Sequence, residues 1–377
     1  MYQKKFLYLL LLGFLFASCK HHKRQQADNA KPDSTAMPLY ANGFYIDYFP
    51  HYKRVTVINP WVKNTIYARY YLVANKKIDT PKDGQKIQVP LHAIGSTSGT
   101  QFEFLHLIGE LNSITGVCSP KLIYNKELLD KFSQGKLTDL GDPFSLNIER
   151  VELLHPDAVI ISGFNQEDPI SKRLIENGTP VIFDNEWTEK SILARAEWIK
   201  FIAAFYNKEH LADSLYAVTV TNYNRIKDTL NVITYRPTVM SGGNFKGTWY
   251  MPGGKSYMAN LLIDAGANYY YSFDTTEGSL PLNFEVVLKN FRQTEIWIGS
   301  SANSMNELLS TDERNNLFNA VKNKQVYNFN KRTTPSGGND FWESGTAHPD
   351  VILEDMIKIF HPELMLQHQF VYVEKLK

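Results

Sequence analysis

Two segments of this chain are built alike, and together they limit the folds open to it. Asn147-Ile148-Glu149 opens one short apolar helix, and Asn283-Phe284-Glu285 opens another. A run that reads as a buried strand follows each: residues 157–161 (DAVII) after the first, residues 295–298 (EIWI) after the second. In both, Asn can accept from the orphan N–H groups of the first helical turn. In both, Glu sits in that first turn, where the helix dipole favours negative charge. Two similar lobes, each presenting a carboxylate at a matching place, suit a molecule that grips a partner at two points.

Between the two devices the chain changes character. Residues 191–230 contain neither Pro nor Gly and are helical in pattern, with the break expected at Asn207-Lys208. A helix over residues 209–230 would be about 30 Å long at 1.5 Å per residue, enough to run from one lobe to the other. Before it, residues 55–58, 66–73, 87–94, 114–118, 158–162 and 180–183 read as strands, and residues 102–111 and 170–177 as helices. After it come strands at 238–241, 295–299 and 326–329. The matching helices are 257–265, 284–289, 312–322 and 349–360, with a Gly-rich loop after the strand at 238–241. This βαβα rhythm implies an α/β fold: two Rossmann-like lobes, each a mainly parallel sheet with flanking helices, joined by one long helix. The N-terminal lobe is expected over 40–207, with an extra strand-rich segment at 40–90 to which the sequence assigns no role. The joining helix is expected over 208–230 and the C-terminal lobe over 231–377.

The N-terminus reads as an export signal. Lys4-Lys5 precede an apolar run at residues 6–16, too short to span a bilayer comfortably, and Ala17-Ser18-Cys19 follows. Residues 1–18 are therefore expected to be removed. A Cys directly after small residues resembles a bacterial lipobox, which implies lipid on Cys19. Ordinary signal cleavage without lipid is the alternative. Residues 19–39 are polar and read as a flexible tether. With lipid on Cys19, Cys118 is the other of only two cysteines and has no disulfide partner; it reads as a small buried residue. A net charge of +1 points to neither nucleic acid nor an anionic membrane surface as partner.

Several near-motifs fail. Gly254-Lys255-Ser256 has the end of a phosphate-binding loop, but its first Gly would fall on Trp249. Gly95-Ser96-Thr97-Ser98-Gly99 has Thr at the nucleophile position. The ten His are scattered without metal-ligand spacing.

The order of several pieces carries a resemblance over roughly residues 90–365. Ile108-Gly109-Glu110, Ile114-Thr115-Gly116-Val117-Cys118, Asn147-Ile148-Glu149-Arg150 and Leu153-Leu154-His155-Pro156-Asp157 form the first part. Gly254-Lys255-Ser256, Leu261-Leu262-Ile263-Asp264-Ala265-Gly266, Phe284-Glu285 and the tail from His348-Pro349 to His361-Pro362-Glu363 form the second. Together they resemble the helical-backbone class of ABC-importer substrate-binding proteins, which carry ferric siderophores, cobalamin and haem. The resemblance implies a monomeric, envelope-facing lipoprotein with no intrinsic cofactor and no catalysis. Glu149 and Glu285 would dock arginines of a dimeric permease. The stiff helical hinge would allow only small lobe movements. The ligand, a ferric siderophore foremost and cobalamin or haem next, would lie between the lobes.

An aromatic fraction of 13% and aromatics in the loops suit a large, flat, partly apolar ligand. The candidates are Trp249, Tyr250 and Trp342 first, then Phe144, Trp187, Tyr124, Phe164 and Phe245. Lys246, Lys331 and Arg332 could meet anionic groups on a chelate. Two rival readings are a secreted two-lobed enzyme, which would need a nucleophile–base pair, and a protein binding free Zn or Mn ions.

Overall fold

The chain enters its fold through an antiparallel sheet. The computed structural model describes residues 31–165, 168–300 and 302–377. Its first strands are β1 (Ser34–Ala36), β2 (Phe44–Tyr48), β3 (Tyr52–Ile58), β4 (Ile66–Val73) and β5 (Gln85–Gln88), hydrogen-bonded in that order. All pairs are antiparallel except β4 with β5. Val55, Val57, Tyr70 and Leu72 alternate inward, as the period-two pattern of a strand requires, and join the core of the N-terminal lobe. Phe44 meets Trp198 edge-on at 5.0 Å, and Tyr70 meets Phe205 at 5.5 Å.

Two expectations change here. Residues 34–36, read as tether, form an edge strand in register with Tyr48, Asp47 and Ile46. Their side chains are exposed, so the backbone ladder and the Thr35 hydroxyl, which donates to Asp47 at 2.6 Å, hold them, and hydropathy carries no trace of that. Two buried carboxylates fix the next stretch: Glu197 accepts from the backbone N–H groups of Leu39, Tyr40 and Ala41, and Glu189 from those of Asn42 and Gly43. The expected strand at 87–94 is two strands, because Pro90 has no N–H to give a ladder. The leader at 1–18 and Cys19 lie outside the described residues.

The N-terminal lobe runs β6 (Ile94–Ser96), α1 (Thr100–Leu107), β7 (Ile114–Val117), α2 (Lys126–Ser133) and β8 (Thr138–Asp139). A hairpin of β9 (Gly141–Asp142) and β10 (Ser145–Leu146) leads to α3 (Ile148–Leu154), β11 (Ala158–Ile161), α4 (Pro169–Glu176) and β12 (Val181–Phe183). Its sheet is parallel, in the order β12-β11-β6-β7-β8. Gln85 of the first sheet bonds both the N–H and the C=O of Val181, at 2.9 and 2.8 Å, and so covers the edge of β12.

Next come α5 (Ile192–Ala196), α6 (Trp198–Ala204) and α7 (Glu209–Asp228). The break falls where it is expected, with Asn207 in the left-handed region at φ 56°. Ala212 and Tyr216 of α7 belong to the N-terminal core, while Tyr223 and Ile226 belong to the C-terminal one. One helix therefore carries both cores.

The C-terminal lobe runs β13 (Thr238–Ser241), β14 (Asn244–Phe245), β15 (Thr248–Pro252), α8 (Tyr257–Asp264), β16 (Asn268–Tyr269), β17 (Ser279–Leu282), α9 (Phe284–Phe291) and β18 (Ile296–Ile298). It continues with α10 (Met305–Thr311), α11 (Asn319–Lys322), β19 (Val326–Asn328), α12 (Asp340–Glu343), α13 (Pro349–Phe360) and β20 (Glu374–Lys375). The main sheet has the order β16-β13-β18-β19-β20, parallel except for β20. Read outward from the first strand of each lobe, β19-β18-β13-β16 repeats β12-β11-β6-β7. Each lobe then adds one strand at the opposite edge.

Two further expectations change in this lobe. The Gly-rich loop after β13 is a hairpin that pairs with β17 in a separate antiparallel sheet. The expected helix at 312–322 is split at Phe318, whose backbone is extended (φ −80°, ψ 135°) and whose ring is fully buried between Trp249 and Trp297. Burying that ring stabilises more than one continued helical turn would.

Candidate functional site

The strand ends of the C-terminal lobe and the turn that follows β12 in the N-terminal lobe open onto one pocket of about 1160 Å³. That exceeds the range of roughly 300–1,000 Å³ typical of drug-sized ligand sites. β13 delivers Ser241-Gly242, β18 delivers Gly299, and β19 delivers Asn328-Phe329, all at carboxyl ends, where ligands of open α/β sheets bind. Gly242 is at φ 75°, and a Cβ there would fall 2.5 Å from the carbonyl oxygen of Tyr250. Only glycine lets the β14–β15 hairpin fold back over the end of β13.

The expected ligand aromatics separate into three groups. Tyr250, Trp342 and Trp187 line the pocket and are 49%, 51% and 42% exposed. Trp187 is oriented by its indole N–H, which donates to the Gly163 carbonyl at 2.9 Å. Trp342 rides on α12, whose Phe341 stacks on Phe329 at 4.1 Å.

Trp249 is a correction. It lies on β15 rather than in a loop, is 1% exposed, and donates its indole N–H to Ser241 O at 3.0 Å inside the C-terminal core. The period of two sends Trp249 inward and Tyr250 to the pocket.

The other four stand elsewhere. Phe144, at the tip of the β9–β10 hairpin, packs on Phe164 at 5.0 Å, and Phe245 tips the β14–β15 hairpin under Lys246; none of the three lines the pocket. Tyr124 lies in a second crevice at the lobe boundary, beneath Arg332 and beside Glu343. The three candidate cations also stand away from the main pocket: Lys246 over Phe245, Lys331 on the Phe370 carbonyl, and Arg332 on Asp340 at 3.0 Å.

Sequence reasoning missed Trp61, Tyr257 and Phe329. Trp61 comes from the extra segment and reaches the pocket from the β3–β4 turn. Its signal was present: in Asn59-Pro60-Trp61, Asn59 Oδ1 accepts from the N–H groups of Trp61 and Val62 at 2.9 and 3.0 Å, an Asx turn that displays the indole. Tyr257 starts α8 and lies against the guanidinium of Arg195 at 4.5 Å. Arg195 is 7% exposed and bonds Glu186 at 2.6 Å; the neighbouring Asp184, wholly buried, is held well above the usual carboxylate range by burial and by the charge of Glu186.

The paired carboxylates are set alike. Asn147 Oδ1 accepts from Arg150 N and Asn283 Oδ1 from Val286 N, both at 2.9 Å. Ile148 and Phe284 anchor the two helix starts in the cores, which leaves Glu149 and Glu285 exposed. Glu285 has a loose partner in Arg314 at 3.5 Å. Cys118 is buried, and burial pushes its thiol up to about 12, so it is not a reactive group at neutral pH. Among the described residues no cluster of His, Cys, Asp and Glu is arranged to hold a metal ion, and no helix is long and apolar enough to cross a membrane.

The fold recurs in solved structures. A haem-binding protein of Pseudomonas aeruginosa superposes with a TM-score of 0.57 at 16% identity, covering 76% of this chain and 98% of that one. A possible iron-binding solute-binding protein of Staphylococcus epidermidis gives 0.55 at 21%, covering 72% and 99%. A vitamin B12-binding protein of Vibrio cholerae gives 0.53 at 14%, covering 74% and 99%. In sequence, an uncharacterized lipoprotein of Methanocaldococcus jannaschii is 23% identical over 94% of this chain and 91% of its own length. A second uncharacterized lipoprotein of that organism is 26% identical over 90% and 86%. The family model described as periplasmic binding protein matches residues 94–333, more than half of the 377 residues, and the chain belongs to that family.

Proposed function

We propose that this chain captures a metal chelate or corrinoid in the interlobe pocket and delivers it to an ABC permease, with a lipid on Cys19 tethering it to the cell envelope. The carrying observation is the pocket itself: about 1160 Å³, with indoles of Trp61 and Trp187 from one side and the rings of Tyr250 and Trp342 from the other. Flat, partly apolar ligands gain from such faces, beyond simple area burial. The names of the haem-, iron- and B12-binding neighbours agree with this ligand class. The protein acts as a carrier and catalyses nothing. Glu149 and Glu285, each exposed on the first turn of a helix, would meet permease arginines, giving orientation and on-rate.

The test is tryptophan fluorescence of the full chain in mild detergent, titrated with cyanocobalamin, haemin and ferric siderophores and corrected for inner-filter absorption. Saturable quenching at micromolar or lower concentration by one of them is the expected result. No saturable response to any would refute the reading.

A further inference from the structure

The charged side chains in the pocket wall are both carboxylates. Among the described residues these are Glu189 and Glu277. Glu189 is 6% exposed, fixed by the backbone N–H groups of Asn42 and Gly43 and by the Trp198 indole at 2.9 Å, and burial raises its pKa. Glu277 stands at the exposed rim, paired with Lys190 at 2.6 Å.

Among the described residues no Lys or Arg side chain lines the pocket, and three cations of the surrounding elements have partners. Lys190 is on Glu277. Arg195 lies behind Tyr257, against Glu186. Arg332 belongs to the second crevice, where it meets Asp340 and Tyr124. The rest of the polar wall is neutral. It includes Asn303 and Asn330, which bond each other at 3.1 Å, and the hydroxyls of Thr188, Ser279, Thr333 and Thr334. Such groups pair with amides, carbonyls and hydroxyls. A multiply charged anion would find no cationic side chain among the described residues of the pocket wall, and would meet the buried carboxyl of Glu189 there.

We infer that the pocket selects an uncharged or cationic chelate whose periphery carries amide or hydroxyl groups, and discriminates against anionic chelates. This selection rests on the carrier reading above and names the ligand class within it.

The experiment compares four probes on the full chain by the same fluorescence titration. Cyanocobalamin is uncharged and rich in amides; ferrioxamine B is a cationic trihydroxamate; ferric enterobactin is a trianionic catecholate; haemin carries two carboxylates. Cyanocobalamin or ferrioxamine B should bind at least about tenfold tighter than both anionic probes, a difference of about 1.4 kcal/mol. Glu277→Lys, a change at an exposed rim position, should narrow that gap by about tenfold by admitting the anions. An anionic probe bound as tightly as the others, or more tightly, overturns the charge selection and leaves the carrier reading standing. No saturable binding of any probe overturns both.

Discussion

The carboxylate of Glu343, on the C-terminal lobe, accepts the backbone N–H of Asn125, the N-cap of α2 in the N-terminal lobe, at 2.7 Å. Its second oxygen takes the N–H of Tyr124 at 2.8 Å. One side chain thus bolts the two lobes together beside the long helix. Burial pushes the Glu343 carboxyl up to about 7; the two N–H donors oppose the shift, and Asp340 and Glu103 add to it. At the same boundary His348 bonds Glu103 at 2.9 Å, and its pKa is raised: burial pulls it down, but Glu103 and the neighbouring Asp350 and Asp340 outweigh that.

For a carboxyl with a raised folded pKa, the stabilisation is fully present below the unfolded value of 4.5 and is lost as pH rises through about 7. The His348 contribution is likewise lost at higher pH. Glu343→Gln should therefore flatten the pH dependence of unfolding free energy between roughly pH 5 and 8, by on the order of 3 kcal/mol at most. It should also cost about 1 kcal/mol for the lost acceptor. Urea midpoints of variant and parent across that range decide the matter; parallel curves would show that Glu343 does not titrate there.

Glu149→Ala with Glu285→Ala should lower uptake by more than tenfold while ligand affinity stays within about twofold, since truncating a docked charge typically costs about 2 kcal/mol or more. Whole-cell uptake and in vitro titration read the two separately. Lost affinity would refute the docking role.

Neighbours on β15 should behave oppositely. Trp249→Ala empties the centre of the C-terminal core and should cost about 3–5 kcal/mol in stability. Tyr250→Ala, exposed at the pocket, should leave the melting temperature within a few degrees and weaken ligand binding. Equal stability losses would place both in the core.

The sequence made the repeated architecture legible through local signals. The caps at Asn147 and Asn283 and the break at Asn207 depend on residues within a few positions, and the structure reproduces them. The pocket was legible in part. Trp187, Tyr250 and Trp342 could be named as aromatics near glycines or turns, but Trp249 has the same neighbours and is buried. What separates Trp249 from Tyr250 is the pairing of β15 with β17, a contact set by chain some thirty residues away, with Tyr250 opposite Pro281. Phe318 shows the same limit: a helical pattern yields to a long-range aromatic cluster. That residues 40–90 supply part of the pocket wall was hidden because Trp61 reaches the pocket only once the first sheet has docked on α6.

Trp61→Ala tests whether that extra sheet serves the ligand. Trp61 packs on Tyr67 at 5.1 Å beside the pocket and is only half-buried. The variant should fold normally and bind ligand about tenfold more weakly, as expected for a lost aromatic face of about 1.4 kcal/mol. Unchanged affinity would restrict the first sheet to a structural role.

Arg195 presents a final, energetic test. It and Glu186 are 7% and 1% exposed and form an ion pair at 2.6 Å directly behind Tyr257. Removing one partner of such a pair leaves an uncompensated buried charge, whereas replacing both by apolar groups of similar volume is often nearly neutral. Arg195→Ala should therefore cost about 3–5 kcal/mol, and Arg195→Met with Glu186→Leu should recover most of it. If Arg195 also props the Tyr257 ring against the pocket, the recovered double variant will still bind ligand more weakly than the parent. Denaturant unfolding separates the first effect from the second, and a double variant as unstable as Arg195→Ala would show that the pair is not isolated from the neighbouring buried Asp184.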